Sequence, residues 1–398
     1  MGYLKAYNAW TSDKRLNAEA HAELEAIKDN KEEIEYRFGA ELEFGTAGMR
    51  GIIGYGTNMM NVYTVKRATQ GLAEFIKTLG AEAMKRGVVI SYDTRLKSEV
   101  FAAAAAEVLA ANDITAYVFD EVHPVPMLSF AVRCLRTVAG IMITASHNPK
   151  QYNGYKVYGE DGAQMSPEDT DVVVGFIQKI DDFLGSPSPD AEQRKKFIKA
   201  VPARVDKRYY KELTRLTLSK KAVKKSGKDL KLVYTPVHGS GYIPVTTILK
   251  KIGISATVVE EQTARDTEFS TVEVPNPEFK ETLSLGIRYA ERIGATVVFG
   301  TDPDSDRLGV AVKNKDGEFE ALSGNQVGIL LLDYILTRLH EEERLPANAA
   351  VVKSFVTTGM ARAICDKFGV TLYEVPVGFK FIGEKIKIWE KTHEHTYV

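Results

Sequence analysis

Ala139-Gly140-Ile141-Met142-Ile143-Thr144-Ala145-Ser146-His147-Asn148-Pro149-Lys150 begins as an apolar strand pattern and ends in small and polar residues. Asn148-Pro149, and Asn153-Gly154 shortly after it, are turn signals, so we expect Ser146 on a loop at the carboxyl end of a strand. Open α/β sheets place their ligands at that edge. The alternative is a plain turn in which Ser146 and Asn148 cap a helix. A serine hydroxyl needs an activating base, or a group that it already carries, before it can take part in group transfer.

Strand and helix patterns alternate on both sides of this loop. The alternation restarts twice, so we predict three successive α/β units with mixed sheets and helices on both faces. The predicted strands are 87–92, 114–119, 139–143, 230–234, 255–259, 295–299, 349–354 and 371–375, and the predicted helices are 98–111, 126–135, 244–252, 279–293, 326–339 and 359–368.

The length of the chain also indicates more than one domain. With 398 residues it exceeds what one hydrophobic core usually serves. Residues 12–38 carry apolar positions at helical spacing and predict an amphipathic helical lead-in. The stretch 185–190, rich in Ser, Pro and Asp, predicts a loop just before a domain boundary. We therefore predict domains at 1–200, 201–320 and 321–398.

The composition, with 44% hydrophobic and 26% charged residues, is typical of a soluble globular protein. The net charge of -1 gives no broad attraction to nucleic acid or membrane, and the six lysines of residues 220–231 are interpreted as a solvated face or linker. Cys134 and Cys365 are expected to be reduced core residues of a cytoplasmic protein. The sequence shows neither a signal peptide pattern nor an apolar run of membrane-spanning length.

A second strand end carries an acidic cluster. The strand 295–299 runs into Gly300-Thr301-Asp302-Pro303-Asp304-Ser305-Asp306-Arg307. Carboxylates at every second residue of an extended segment face one way and repel each other unless a cation lies among them. Oxygen ligands suit Mg²⁺ or Mn²⁺. A solvated acidic turn is the alternative, whereas an EF-hand would need glycine at Arg307 and an acidic residue at Lys313.

A glycine-rich stretch, Phe44-Gly45-Thr46-Ala47-Gly48-Met49-Arg50-Gly51, precedes the first unit. It is no Walker loop, because the terminal Gly-Lys-Ser/Thr is missing. Arg50 is its suggestive member, since guanidinium recognises phosphate oxygens.

A strand-end serine, an aspartate triplet and basic residues together suit phosphoryl transfer; the basic residues are Arg50, Lys150, Lys156 and Arg307. Serine hydrolase chemistry fits less well, because no Gly-x-Ser-x-Gly elbow surrounds Ser146, and His147 would point to the opposite side on an extended loop.

These motifs resemble the α-D-phosphohexomutases, the family of phosphoglucomutases and phosphomannomutases. The segment 144–149 is similar to the family's phosphoserine loop, 302–307 to its metal loop and 45–51 to its N-terminal signature. The likeness covers nearly the whole chain, and the lead-in with Leu42-Glu-Phe-Gly-Thr-Ala-Gly48 is most like the bacterial phosphoglucomutase branch. The resemblance implies an isomerase-class enzyme with its active site in the cleft between the units.

By the same resemblance, phosphorylated Ser146 passes its phosphate to a sugar monophosphate, and the bisphosphate reorients and returns its other phosphate. Mg²⁺ would be bound by Asp302, Asp304 and Asp306 together with the phosphoserine, and glucose 1,6-bisphosphate would act as activator. The neighbours of the phosphoryl group would be Arg50, His147 and Lys156. Lys156 is the candidate for proton transfer, which requires burial or nearby positive charge to lower its pKa; an exposed strand lysine is the alternative.

Other residues would contact the sugar phosphate. The resemblance implies substrate contacts for Arg307, Lys380 and Lys353. The loop 235–239, which contains His238, lies at another strand end that would face the cleft. For Lys353 and this loop, plain strand-end turns are the alternative. The expected partners are small-molecule sugar phosphates, and the oligomeric state is left open between monomer and dimer.

The resemblance also predicts a departure from the family. The three domains would be a phosphoserine domain, a metal-binding domain and an incomplete sugar-binding domain, and the fourth, phosphate-binding domain would be absent. We therefore expect impaired catalysis, an exposed sheet edge and a tendency to associate. Glucose 1-phosphate and glucose 6-phosphate are the expected pair; phosphomannomutase, phosphopentomutase, a metal- and phosphate-binding fragment without turnover, and slow hydrolysis of the phosphoserine remain alternatives.

Overall fold

The computed structural model describes residues 2–45, 48–227 and 229–398. It divides into two compact units, Met1–Pro202 and Ala203–Val398. Within the described residues, no helix combines the length and the apolar character that crossing a bilayer requires.

The first unit is built on a six-stranded mixed sheet. Its strands are β1 (Gly48–Ile52), β2 (Val88–Tyr92), β3 (Ala116–Val118), β4 (Ala139–Ile143), β5 (Tyr152–Gly159) and β6 (Ile198–Ala200). They lie in the order β1-β5-β4-β2-β3-β6, and β5 is antiparallel to both of its neighbours. The strands β4, β2, β3 and β6 are parallel, so their carboxyl ends meet at one edge of the sheet.

Helices cover both faces of this sheet. The helices of the first unit are α1 (Gly2–Ser12), α2 (Ala18–Ala26), α3 (Lys31–Phe38), α4 (Val62–Thr78), α5 (Ala81–Arg86), α6 (Ser98–Ala111), α7 (Val125–Leu135), α8 (Pro167–Ile177) and α9 (Ala191–Phe197). Residues of α4 and α6 share one core with Ile90 and Ile141. On the other face, Gly140 lies against Val132 and Leu128 of α7. All residues of β2 and β4 are therefore buried, which explains their continuous apolar sequence.

The predicted lead-in, residues 12–38, is helical but divided: it forms the two short helices α2 and α3, and α1 precedes it. Two asparagines begin these two helices. The side chain of Asn17 accepts a hydrogen bond from the Ala20 amide at 2.8 Å, and Asn30 accepts one from the Glu33 amide at 3.1 Å. Such caps satisfy amides that have no partner within the helix. An aromatic cluster that includes Trp10 and Phe38, with ring centroids 5.5 Å apart, packs the three helices together.

The second unit contains two sheets. The first has the strands β7 (Leu232–Thr235), β8 (Ala256–Val258), β9 (Val297–Thr301), β10 (Leu308–Lys313) and β11 (Phe319–Leu322), in the order β11-β10-β9-β7-β8. In it, β7, β8 and β9 are parallel and β10 is antiparallel to both neighbours. The second sheet is parallel, with β12 (Ala349–Ser354) between β13 (Thr371–Val375) and β14 (Thr396–Tyr397).

The helices of the second unit are α10 (Arg204–Arg215), α11 (Lys220–Ser226), α12 (Tyr242–Ile252), α13 (Lys280–Ile293), α14 (Gly324–Glu341), α15 (Met360–Phe368) and α16 (Phe379–Thr392). The predicted mixed sheets with helices on their faces are thus confirmed.

The lysine-rich segment forms the short helix α11, as far as the structure describes it. Cys365 is buried as expected, whereas Cys134 is only half-buried, and neither cysteine forms a disulfide.

Two glycine substitutions in this unit are expected to have opposite effects. A Cβ at Gly309 in β10 would collide with the Pro277 carbonyl, which is backbone and cannot turn aside. Gly309→Ala should therefore lower the free energy of unfolding by about 1–3 kcal/mol. Gly328 in α14 has open space around it, so Gly328→Ala should raise this free energy by about 0.5–1 kcal/mol. Urea unfolding of both variants measures the difference, and a neutral Gly309→Ala would contradict this packing.

Candidate functional site

Ser146 lies three residues after the end of β4 and has a left-handed backbone conformation. Its φ is 53°, which few residues other than glycine adopt. The Ser146 amide donates a hydrogen bond to Thr144 Oγ1 at 2.8 Å, and the residue is buried. Strained conformations of this kind persist only where the surrounding structure holds them, and they are frequent at functional sites. The serine thus lies on a strand-end loop, as the turn signals predict.

His147 points toward the serine and not away from it. Its Nδ1 lies 3.1 Å from Ser146 Oγ, within hydrogen-bond distance. The expectation of opposite directions assumed an extended loop, and it is wrong because the left-handed turn at Ser146 changes the direction of the next side chain. The imidazole can therefore exchange a proton with the serine oxygen.

Arg50 and Lys156 lie on the strands beside this loop. Arg50 in β1 is exposed, and its Nη1 donates to Asn148 Oδ1 at 2.7 Å. Lys156 in β5 is half-buried and pairs in register with Gly48 of β1 and Met142 of β4. The structure thus places Arg50 against the serine loop, through Asn148, and His147 against Ser146. Thr46 and Ala47 of the glycine-rich stretch lie outside the described residues.

Arg95 is a residue of the site that the sequence analysis missed. It follows β2, the neighbour of β4, and its side chain is fully buried. The guanidinium donates four hydrogen bonds to carbonyl oxygens of the serine loop, those of Ser146 (2.5 Å), Asn148 (2.5 Å), Pro149 (2.9 Å) and Tyr152 (3.1 Å). The available signal was the Asp-Thr-Arg sequence at the end of an apolar strand.

The aspartate triplet lies at the carboxyl end of β9. One carboxylate oxygen from each of Asp302, Asp304 and Asp306 lies within 4.8 Å of the others. Asp302 and Asp304 are buried and Asp306 is exposed. Burial, and then the negative charges of Asp304 and Asp306, raise the pKa of Asp302 well above its ordinary value. Three converging oxygen donors with this mutual repulsion fit a divalent cation such as Mg²⁺.

The loop after β7 supports the aspartate loop from beside it. Both the amide and the hydroxyl of Ser240 donate to the Pro303 carbonyl at 2.8 Å. Gly239 is packed so closely that a Cβ there would lie 2.6 Å from the Pro303 Cα. Any larger residue at Gly239 would therefore push on the backbone between Asp302 and Asp304.

A buried hydrogen-bond chain holds this loop in turn. His238 Nδ1 lies 3.1 Å from the Ala264 carbonyl, which can only accept, so Nδ1 carries the proton and donates. His238 Nε2 is then the acceptor for the Thr271 hydroxyl at 2.8 Å. Gln262 donates to Thr271 Oγ1 at 2.8 Å and accepts a short hydrogen bond from Thr235. This chain of hydrogen bonds ties the loop after β7 to the segment 262–271.

Three further basic candidates belong to the second unit, and Arg307 lies in the loop between β9 and β10. The amide of Arg307 donates to Asp302 Oδ1 at 3.0 Å, and its side chain reaches Glu278 at 3.4 Å. Lys353, at the end of β12, is buried; its Nζ donates to the Thr357 carbonyl at 3.0 Å and lies 3.3 Å from Glu374. Lys380 begins α16 and lies over the Phe381 ring at 4.9 Å. Arg307 thus adjoins the aspartate loop, whereas the contacts of Lys353 and Lys380 are with other parts of the second unit.

Comparison with known proteins shows which family this chain resembles. Models of the phosphoglucomutase/phosphomannomutase family match three successive parts of the chain: alpha/beta/alpha domain I at residues 41–183, domain II at 207–317 and domain III at 323–391. These matches confirm the prediction of three successive α/β units.

Two phosphoglucomutases and one solved structure illustrate the likeness. The enzymes of Staphylococcus epidermidis (strain ATCC 12228) and Staphylococcus aureus (strain N315) are 39% and 37% identical, over 89% and 90% of this chain. The chain spans only 63% of the length of each relative. A phosphoglucomutase/phosphomannomutase family protein from Burkholderia thailandensis, 21% identical, shares the fold with a TM-score of 0.68 over 87% of this chain and 68% of that one.

The three matching domains follow one another along the chain. The strand-end serine lies in the first of them and the aspartate triplet in the second. As the resemblance predicts, the chain belongs to the phosphoglucomutase/phosphomannomutase family, the α-D-phosphohexomutases, and within that family to the branch of the bacterial phosphoglucomutases.

Proposed function

We propose that this chain carries out phosphoryl transfer in the interconversion of glucose 1-phosphate and glucose 6-phosphate, with Ser146 as the phosphate carrier. The observation that carries the proposal is the left-handed Ser146, whose Oγ lies 3.1 Å from His147 Nδ1. The sequence likeness to named phosphoglucomutases favours glucose as the sugar. Mannose or pentose phosphates are the other substrates that the family resemblance leaves open.

In the first half-reaction a hydroxyl oxygen of the sugar monophosphate attacks the phosphorus on Ser146. The new oxygen–phosphorus bond forms as the bond to Ser146 Oγ breaks. Lys156, as a neutral amine, takes the proton of the sugar hydroxyl, and protonated His147 returns a proton to Ser146 Oγ. The contact between His147 and Oγ supports this assignment, because a proton donor to a leaving oxygen must lie within hydrogen-bond distance of it.

The second half-reaction is the reverse with the other phosphate. After the sugar bisphosphate reorients, Ser146 Oγ attacks the second phosphorus and gives its proton to His147. The sugar oxygen leaves and takes the proton back from Lys156, so both groups regain their starting states. Glucose 1,6-bisphosphate from solution would phosphorylate Ser146 by this same step, which is how it would act as an activator.

Positive charge is needed around a group that carries two negative charges. Arg50, tied to Asn148 near the serine, is the proposed phosphate contact there, and Arg307, Lys353 and Lys380 are the proposed contacts to the substrate. Asp302, Asp304 and Asp306 would hold Mg²⁺. When bound, that ion would neutralise charge on the phosphoryl oxygens during transfer. We place this reaction in the cytoplasm, where Cys134 and Cys365, which form no disulfide, would stay reduced.

The first prediction from this proposal concerns the serine. With Mg²⁺ and a trace of glucose 1,6-bisphosphate, the protein should form glucose 6-phosphate from glucose 1-phosphate. Ser146→Ala should reduce that rate by at least about 10³-fold, because removing a nucleophile removes the covalent route. The exposed Ser12 donates only within α1, so Ser12→Ala is the matched control and should keep the wild-type rate. A Ser146→Ala variant with wild-type turnover would contradict the proposal.

The second prediction concerns the aspartate triplet and pH. Because its pKa is raised on folding, Asp302 binds more protons in the native than in the unfolded state above its ordinary pKa of about 3.9. Stability without metal should therefore fall as pH rises from about 4 through the raised pKa. Mg²⁺ at 100 times its Kd should then stabilise the wild type by about 2.7 kcal/mol.

Asp304→Asn tests this directly, since it removes one of the repelling charges and one metal ligand. In EDTA at neutral pH the variant should be more stable than the wild type, but Mg²⁺ should no longer stabilise it. Asp316→Asn, in the exposed hairpin turn between β10 and β11, is the matched control and should behave like the wild type. Thermal unfolding with and without Mg²⁺ gives both answers; undiminished Mg²⁺ stabilisation of Asp304→Asn would contradict the site.

A further inference from the structure

We propose that Arg95 is a positioning residue for phosphoryl transfer at Ser146, because its buried guanidinium holds the carbonyl side of the loop 146–152. This inference rests on the proposed function of Ser146. Arg95 itself is enclosed in the protein, because its side chain is fully buried and out of reach of solvent. It would therefore act through the loop and not by contact with the sugar phosphate.

The hydrogen bonds of Arg95 go to the serine and to residues that follow it. One goes to the Ser146 carbonyl at 2.5 Å, and three go to carbonyls further along the loop, at Asn148, Pro149 and Tyr152. A lysine ammonium offers three donors at one point, whereas a guanidinium offers five in a fixed plane. Only arginine can therefore reach several carbonyls that are spread over seven residues.

Asp93 and its partners hold the guanidinium in place. The Asp93 carboxylate lies 3.4 Å from Arg95 Nε and accepts hydrogen bonds from the Arg95 amide at 3.0 Å and from Ser98 Oγ at 2.7 Å. Asn153 Nδ2 donates to that same Ser98 Oγ at 2.9 Å. The network thus joins the end of β2, the start of α6 and the start of β5. A buried charge is tolerated when it is paired and hydrogen-bonded in this way.

The effect on the serine follows from peptide geometry. In a planar trans peptide the C=O and the next N–H point in opposite directions. Binding the Ser146 carbonyl toward Arg95 therefore turns the His147 amide away from Arg95 and fixes the peptide plane that follows the strained residue. The left-handed φ of 53° at Ser146 needs such a constraint, because a freed chain would relax to a more favourable conformation.

The test compares Arg95→Lys and Arg95→Ala with the wild type and with Arg86→Ala. Arg86 is a matched control, because its guanidinium also donates to backbone carbonyls, those of Arg136 at 2.7 Å and Thr137 at 3.4 Å. Those residues precede β4, whereas Ser146 follows it. The readout is the rate of Ser146 phosphorylation by glucose 1,6-bisphosphate and Mg²⁺ at increasing bisphosphate concentration, followed by mass spectrometry.

We expect the plateau rate of Arg95→Lys to fall about 10²-fold, the cost of misplacing a reacting group by about 1 Å. The half-saturating bisphosphate concentration should stay near that of the wild type, because Arg95 makes no substrate contact. Guanidinium ion added to Arg95→Ala should restore part of the plateau rate. Arg86→Ala should have the wild-type plateau rate, and added guanidinium should not change it. A folded Arg95→Lys with the wild-type plateau, or an effect on half-saturation alone, would overturn the inference.

A second readout separates this inference from the proposed function and serves if Arg95→Ala does not fold. Amide hydrogen exchange across residues 144–152 should be faster in Arg95→Lys than in the wild type and unchanged in Arg86→Ala. If the wild type is never phosphorylated, the proposed function fails. The amide exchange rates then still test whether Arg95 holds the loop 146–152. Equal exchange in Arg95→Lys and the wild type would overturn the positioning role whatever the outcome of phosphorylation.

Discussion

A serine held in a left-handed backbone conformation at the end of β4 is the constraint on which the site depends. Glycine would adopt that conformation easily but has no hydroxyl to carry a phosphate. The surrounding structure must therefore provide the stabilisation, through Thr144 on one side and the carbonyl contacts of Arg95 on the other. The result is a serine oxygen that meets the imidazole of the very next residue.

The aspartate loop is held by the same principle in another sheet. There a neighbouring strand-end loop, through Ser240 and Gly239, fixes the backbone between two acidic residues that would otherwise move apart. A hydrogen-bond chain through His238 and Gln262 holds that neighbouring loop in turn. In both units, parallel strands bring loops that are distant in sequence to one edge, where one loop carries the candidate residues and the next holds its shape.

Much of this arrangement could be predicted from periodicity and turn residues. The strands 349–354 and 371–375 and the helix 98–111 have the predicted bounds, and the three aspartates converge as predicted, although on a turn with Ser305 at φ 54° and not on an extended segment. What failed depended on single side chains or on contacts distant in sequence. Asn17 and Asn30 divide the lead-in, the φ of Ser146 redirects His147, and Arg95 meets the serine carbonyl only because β2 and β4 are adjacent. The metal ion, the sugar and the roles of the basic residues remain proposals.

The most direct test of the account follows the phosphate of the serine through a single turnover. Protein carrying labelled phosphate on Ser146 is mixed with unlabelled glucose 1-phosphate and Mg²⁺ and quenched at short times. The account predicts that the label leaves Ser146 and appears in a sugar bisphosphate before any in inorganic phosphate. Label that stays on the serine, or that passes only to water as inorganic phosphate, would contradict it.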